Sequence, residues 1–128
     1  MNQIGQIAIP VSDTDRSEAF YETALGLTRL YRYGKMAFFD CAGVRLMLSP
    51  PAHEEPVVPG QGAIYFRVPD IAIAVRDLEA RGVDIVARPF FQAPMPDHDL
   101  WMAFVRDPDS HLIGLMMEAP KGYAQPAQ

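Results

Sequence analysis

The stretch Gly5-Gln6-Ile7-Ala8-Ile9-Pro10-Val11-Ser12-Asp13 returns 57 residues later as Gly62-Ala63-Ile64-Tyr65-Phe66-Arg67-Val68-Pro69-Asp70, with Gly, Ile, Val and Asp in register. In each copy an apolar residue stands at every second position: Ile7, Ile9, Val11, then Ile64, Phe66, Val68. That period is the signature of a strand with one face against a helix layer. The aspartate closing each copy is suited to cap a helix, and each helical pattern ends at a glycine that supplies the left-handed terminal conformation. Phe20, Ala24 and Leu25 cluster before Gly26, and Ile71, Ala74, Val75 and Leu78 before Gly82. Both copies therefore begin strand, helix, with the helix predicted on the outer face of a sheet.

Three further strands are predicted after each helix: Leu27 to Tyr33, Met36 to Asp40 and Val44 to Ser49, then Val83 to Ala87, Leu100 to Val105 and His111 to Glu118. The turns Asp40-Cys41-Ala42-Gly43 and Asp107-Pro108-Asp109-Ser110 correspond at an offset of 67, and a larger hairpin loop is expected around Phe91 to Asp97. Pro50, Pro51, Pro56 and Pro59 disfavour helix and central strand, so this stretch reads as a linker. The result is an α+β chain of two βαβββ modules, each a curled mixed sheet with its helix outside. Module 1 spans about 3–50, the linker 51–60, module 2 about 61–118, and a polar tail 119–128 reads as mobile or placed at a subunit edge. At 128 residues the duplication must lie within a single domain.

Composition narrows the function. A hydrophobic fraction of 49% with 21% charged residues is that of an ordinary globular protein. A net charge of −5 argues against nucleic acid and anionic membrane surfaces, which need a basic footprint. No apolar run approaches the roughly 20 residues of a membrane helix and no leader pattern opens the chain, so a cytoplasmic location is expected. Cys41 is the only cysteine, which excludes an internal disulfide and a CxxC metal site; a buried, inert thiol is the favoured reading over a nucleophile.

The segments Ile7-Ala8-Ile9-Pro10-Val11-Ser12-Asp13, Phe20-Tyr21 through Leu25-Gly26, and Phe104-Val105-Arg106-Asp107-Pro108-Asp109-Ser110, in this order and with the duplication, resemble the glyoxalase/bleomycin-resistance/dioxygenase group, the vicinal oxygen chelate superfamily, over nearly the whole length. That resemblance implies paired modules enclosing a site where a divalent metal binds two adjacent substrate oxygens, its ligands being His, Glu or Gln on first and last strands. Carried over residue by residue, the ligand positions fall on Gln6, Met47, Ala63 and Gly114. Only Gln6 can ligate such a metal, since a thioether is too soft and alanine and glycine offer no donor. The expectation is therefore a member without metal or other cofactor. His53, His98 and His111 could in principle build an unrelated site, but one lies in the linker and another beside a turn.

With those positions facing inward, alternation places Ala8, Arg45, Ser49, Tyr65, Arg67, Leu112 and Met116 on the same face. Two readings of Arg45 and Arg67 stand: a clamp on a carboxylate or phosphate, with Met47, Tyr65 and Met116 against an apolar body, or ion pairs with carboxylates such as Asp40 or Glu118. In Met95-Pro96-Asp97-His98-Asp99-Leu100-Trp101-Met102, His98 is a candidate acid/base and Trp101 a stacking surface, against a solvated histidine and a core tryptophan. Tyr31 and Tyr33 share a face and could add hydroxyls, although sheet packing is the plainer reading. The candidate ligand-binding set is Gln6, Arg45, Met47, Tyr65, Arg67, His98 and Trp101. The expected function is metal-independent binding of a small molecule, an anion with an apolar or aromatic body, in a homodimer; the alternative is a lyase or isomerase acting on a small carbonyl or carboxylate substrate.

Overall fold

In a computed structural model, which describes residues 1–60 and 62–126, the chain forms two compact units that divide between Pro59 and Gly60. Gln61 and the last two residues of the expected tail lie outside the described residues. The first unit runs β1 (Gln6–Pro10), α1 (Thr14–Ala19) with a π-helical continuation (Phe20–Ala24), β2 (Thr28–Tyr33), β3 (Met36–Cys41) and β4 (Val44–Ser49), then a short 3-10 turn, Ala52–Glu54. The second runs β5 (Ile64–Arg67), α2 (Ile71–Ala80), β6 (Asp84–Pro94), β7 (Asp99–Arg106) and β8 (Leu112–Ala119). The sheet orders are β1-β4-β3-β2 and β5-β8-β7-β6, each with one parallel pair, β1 with β4 and β5 with β8. The repeat read from Gly5 and Gly62 is thus a repeat of topology.

The predicted caps explain where the helices start. Asp13 accepts the backbone N–H of Arg16 and Asp70 that of Ile73, each at 3.1 Å. At the other ends Gly26 and Gly82 take φ of +76° and +80°, which residues with a Cβ rarely adopt. One detail differs from the expected helical face. Leu25 N–H donates to Phe20 O, five residues back, and this wider turn brings Tyr21, rather than Phe20, fully into the core. There Tyr21 meets Phe39 at 6.3 Å between centroids, beside the fully buried Val11, Ala37 and Leu48. In the second unit Ile71, Val75 and Leu78 of α2 are buried, as are Ala103, Val105, Ile113 and Leu115 of β7 and β8.

One expectation needs correction. The loop expected around Phe91 to Asp97 is mostly strand: β6 continues to Pro94 and only residues 95–98 form the turn, closed by Met95 N–H to His98 O at 2.8 Å. β6 is an edge strand with register shifts between Ile85/Ala87, Ala87/Phe90 and Phe91/Ala93. An edge tolerates Pro89 and Pro94, and the shifts absorb the extra residues as bulges. The described part of the tail, read as mobile or at a subunit edge, makes contacts within its own unit. Gly122 N–H donates to Asp99 Oδ2 at 3.0 Å, Lys121 Nζ lies 3.3 Å from Asp99 Oδ1, and the Tyr123 ring meets Trp101 edge to face at 5.3 Å.

Asp99 is thus the anchor of the tail, and the Gly122 N–H, with Lys121, holds its carboxyl below the usual range. A depressed folded-state value contributes stability above the unfolded value of about 3.9, and loses it as pH falls through the lower folded value. Acidification below about pH 4 is therefore expected to loosen residues 120–125 and change Trp101 emission. Asp99→Ala, which removes the acceptor of the Gly122 N–H, should show the loosened emission already at neutral pH; an unchanged spectrum in that variant would disconnect the anchor from the tail.

Candidate functional site

Alternation along β1 sends Ile7 and Ile9 toward α1 and leaves Gln6 and Ala8 on the opposite, open face of the first sheet. The pairing register then fixes their neighbours on that face. Gln6 stands beside Arg45 and Ala8 beside Met47, while across β3 Phe38 faces Met47 and Asp40 faces Arg45; Tyr31 of β2 pairs with Phe38. The backs of these strands, Phe39, Leu46 and Leu48, lie buried, so the open face is held on a rigid layer.

The side chains on this face form one connected cluster. Arg45 Nε–H donates to Gln6 Oε1 at 2.8 Å, and Arg45 Nη1 to the Tyr31 hydroxyl at 3.2 Å. Gln6 Nε2 donates weakly to Met47 Sδ at 3.7 Å, which orients the amide so that its oxygen meets the arginine. The guanidinium carbon lies 5.6 Å from the Phe38 centroid, and Tyr31 stacks on the same ring at 4.6 Å. Among the described residues no carboxylate lies within ion-pair distance of Arg45. Asp40, the expected partner, instead accepts the Gly43 N–H of the β3–β4 turn at 3.0 Å. Arg45 is therefore a positive group held in place by neutral acceptors and aromatic faces, with its charge uncompensated.

The structure brings Gln6, Arg45 and Met47 together, and adds Tyr31 and Phe38, which were absent from the candidate set. Phe38 enters the sequence reading only as part of the strand Met36 to Asp40. The signal was present: a turn centred on Ala42-Gly43 pairs Cys41 with Val44, and counting back sets Phe38 against Met47. Cys41 itself is half-buried, and burial, with Asp40 beside it, pushes its thiol up, consistent with an inert side chain.

The second sheet's open face is built differently. Tyr65 and Gly114 are register partners, and the Tyr65 ring lies directly on Gly114, so that an added Cβ would sit 2.9 Å from Tyr65 Cγ and closer still to Cδ1 and Cε1. Phe104 meets the Tyr65 ring edge to face at 5.8 Å, and Phe90 stacks on Phe104 at 6.2 Å. Arg67 has the carboxylate partner that Arg45 lacks: its Nη1 lies 3.8 Å from Glu118 Oε1, with side chains 71% and 43% exposed. So open and long a pair is worth little in water. Trp101 pairs with Met117, one position out of phase with Met102 and Met116, so it lies on the helix-side face between Phe91 and Tyr123. Its Nε1 is buried without a partner among the described residues. His98 sits in the β6–β7 turn, its Nδ1 2.7 Å from Asp97 Oδ1, and Asp97 is held below the usual carboxylate range by that bond. Trp101 and His98 thus do not join Tyr65 and Arg67.

The donor set does not fit a divalent metal. Gln6 Oε1 already accepts from a guanidinium, Met47 offers only sulfur, Ala63 nothing, and at Gly114 the Tyr65 ring occupies the space a donor would need. Among the described residues no group of three or more His, Cys, Asp and Glu side chains could hold an ion. Two clefts of about 510 Å³ lie elsewhere. One includes Asp13, Asp15, Arg32 and Lys35, and there Arg32 is compensated by Asp15 at 2.9 Å. The other lies along α2 and β6, where Arg88 is compensated by Glu79.

Comparison with known proteins agrees with this architecture. A protein of Mycolicibacterium smegmatis (strain ATCC 700084 / mc(2)155), known only as an uncharacterized protein, is 29% identical over 93 residues, covering 72% of this chain and 78% of the relative. Among solved structures, an integron cassette protein from the mobile metagenome of V. cholerae superposes with a TM-score of 0.76 at 19% identity, over 93% of this chain and 97% of that one. Lactoylglutathione lyase from Agrobacterium tumefaciens gives 0.73 at 21% identity, over 96% and 98%. A glyoxalase-related enzyme from Fulvimarina pelagi gives 0.73 at 23%, over 91% and 88%. At such identities the likeness is one of fold. Residues 3–115 match the family model itself, and with this coverage the chain belongs to the Glyoxalase/Bleomycin resistance protein/Dioxygenase superfamily.

Proposed function

We propose that this protein binds small organic anions with an apolar or aromatic body on the open face of its first sheet, without a metal. The observation that carries the reading is the uncompensated Arg45, gripped by Gln6 and Tyr31 over Phe38. A fixed guanidinium loses less freedom on binding, and its remaining N–H groups suit a carboxylate or phosphate. Met47 and the exposed part of Tyr31 offer apolar contact beside it. Of the residues first considered, Gln6, Arg45 and Met47 form the contact set. Tyr65 caps Gly114, Arg67 answers Glu118, and His98 and Trp101 belong to the turn and the tail. The homodimer expected for the family, and a cytoplasmic setting, remain part of the proposal; sedimentation at micromolar concentration checks the first.

Calorimetric titration with benzoate tests the reading. Arg45→Gln is expected to weaken binding about 10- to 100-fold, the worth of one or two hydrogen bonds to a charged group. Benzoate affinity should be the same with and without EDTA. Loss of binding on chelation would sink the metal-free reading, and equal affinity of the Arg45→Gln variant would remove Arg45 from the site.

A further inference from the structure

Tyr31 completes the Arg45 cluster in a way that bears on which anion it takes. Its hydroxyl accepts from Arg45 Nη1, so its own hydrogen is left to give, and among the described residues nothing receives it. Arg45 has spent Nε–H on Gln6 and one Nη1–H on Tyr31, which leaves three of a guanidinium's five donors. Four donors from two side chains therefore remain within one cluster. Against them stands a single positive charge. Asp40 is the register partner of Arg45 and so belongs to the same face, with its carboxylate turned to the Gly43 N–H of the β3–β4 turn rather than paired with Arg45.

We infer that Tyr31 and Asp40 set the class of anion: a monocarboxylate, one oxygen on the Arg45 guanidinium and the other accepting the Tyr31 O–H, in preference to a phosphate monoester. This inference rests on the anion-binding reading above. A carboxylate carries one charge and accepts in a plane, matching one guanidinium and one adjacent hydroxyl. A phosphate monoester carries close to two charges at neutral pH. Its second charge finds no second cation in the cluster, and Asp40, the register partner of Arg45, adds a like charge to that face. Tyr31 is held for this task, because its ring stacks on Phe38, which is itself buried against Met47.

Calorimetric titrations of the full chain with benzoate and with phenyl phosphate, on wild type, Tyr31→Phe, Asp40→Asn and Arg45→Gln, test the inference. Wild type should favour benzoate by about tenfold, the scale of one charge-assisted hydrogen bond. Tyr31→Phe keeps the stacked ring and should lose about tenfold in benzoate affinity. Asp40→Asn keeps the oxygen that caps the turn, and should raise phenyl phosphate affinity while leaving benzoate nearly unchanged. Equal binding of the two probes by wild type, or full benzoate affinity in Tyr31→Phe, overturns the inference; if Arg45→Gln still weakens benzoate binding about 10- to 100-fold, the anion-binding reading survives that failure. Binding of neither probe, or full benzoate affinity in Arg45→Gln, overturns both.

Discussion

Gly114→Val is expected to destabilise the protein by about 2–3 kcal/mol, at a strand position where valine ordinarily improves on glycine. The Tyr65 ring lies on the glycine Cα, and the nearest ring atoms to an added Cβ include Cγ, close to the root of the side chain. Bending the outer ring aside does not relieve that overlap; the whole side chain must leave its rotamer, and with it the edge-to-face contact to Phe104. The decisive measurement is a double-mutant cycle in denaturant with Tyr65→Ala. In that background Gly114→Val should be neutral or stabilising by up to about 1 kcal/mol, because the clash is gone and only the strand preference remains. A coupling energy near zero would mean that the ring does not occupy the space over residue 114.

Phe39→Ala has a still larger expected effect, about 3–5 kcal/mol, the usual range for emptying a fully buried aromatic site. Phe39 is 0% exposed and packs against Tyr21, which the π-helical turn delivers to the same core beside Leu48 and Val11. Nothing nearby can collapse easily into the cavity, since β3 is flanked on both sides by paired strands. The measurement is the midpoint of chemical unfolding. The same variant should lose benzoate binding only through unfolding, because Phe39 and the open-face cluster lie on opposite sides of the sheet. Reduced affinity in the fully folded fraction would show that the core sets the geometry of Arg45.

Much of the fold was legible because its determinants are local and periodic. Alternation at Ile7, Ile9 and Val11, the caps Asp13 and Asp70 and the terminal glycines 26 and 82 each act over a few residues. They required no knowledge of distant partners. The strand β6 runs past Ala87 because the extra length of the second half, expected as a hairpin loop, is absorbed by register shifts along an edge strand, which only the pairing reveals. Tyr21 was missed since a helical period of 3.6 assumes that no turn is widened. At the candidate site, Gln6 and Met47 came from the ligand positions that the family resemblance implies and Arg45 from strand parity counted from them, whereas Tyr31 and Phe38 depend on pairing across two hairpins. Trp101 shows the opposite difficulty. A tryptophan near a histidine invites a binding role, yet one step of register, Met117 rather than Met116, sends it to the tail side.

The Tyr65–Gly114 contact also constrains the order in which this sequence can change. A side chain able to donate to a metal cannot enter position 114 while Tyr65 remains, so that route demands a smaller residue at 65 first, a change that alone forfeits packing against Phe104. The two positions are thus coupled by epistasis: the change at 65 costs packing, and the change at 114 is tolerable only after it. For this half of the molecule, gaining a metal donor at position 114 therefore passes through a less stable intermediate.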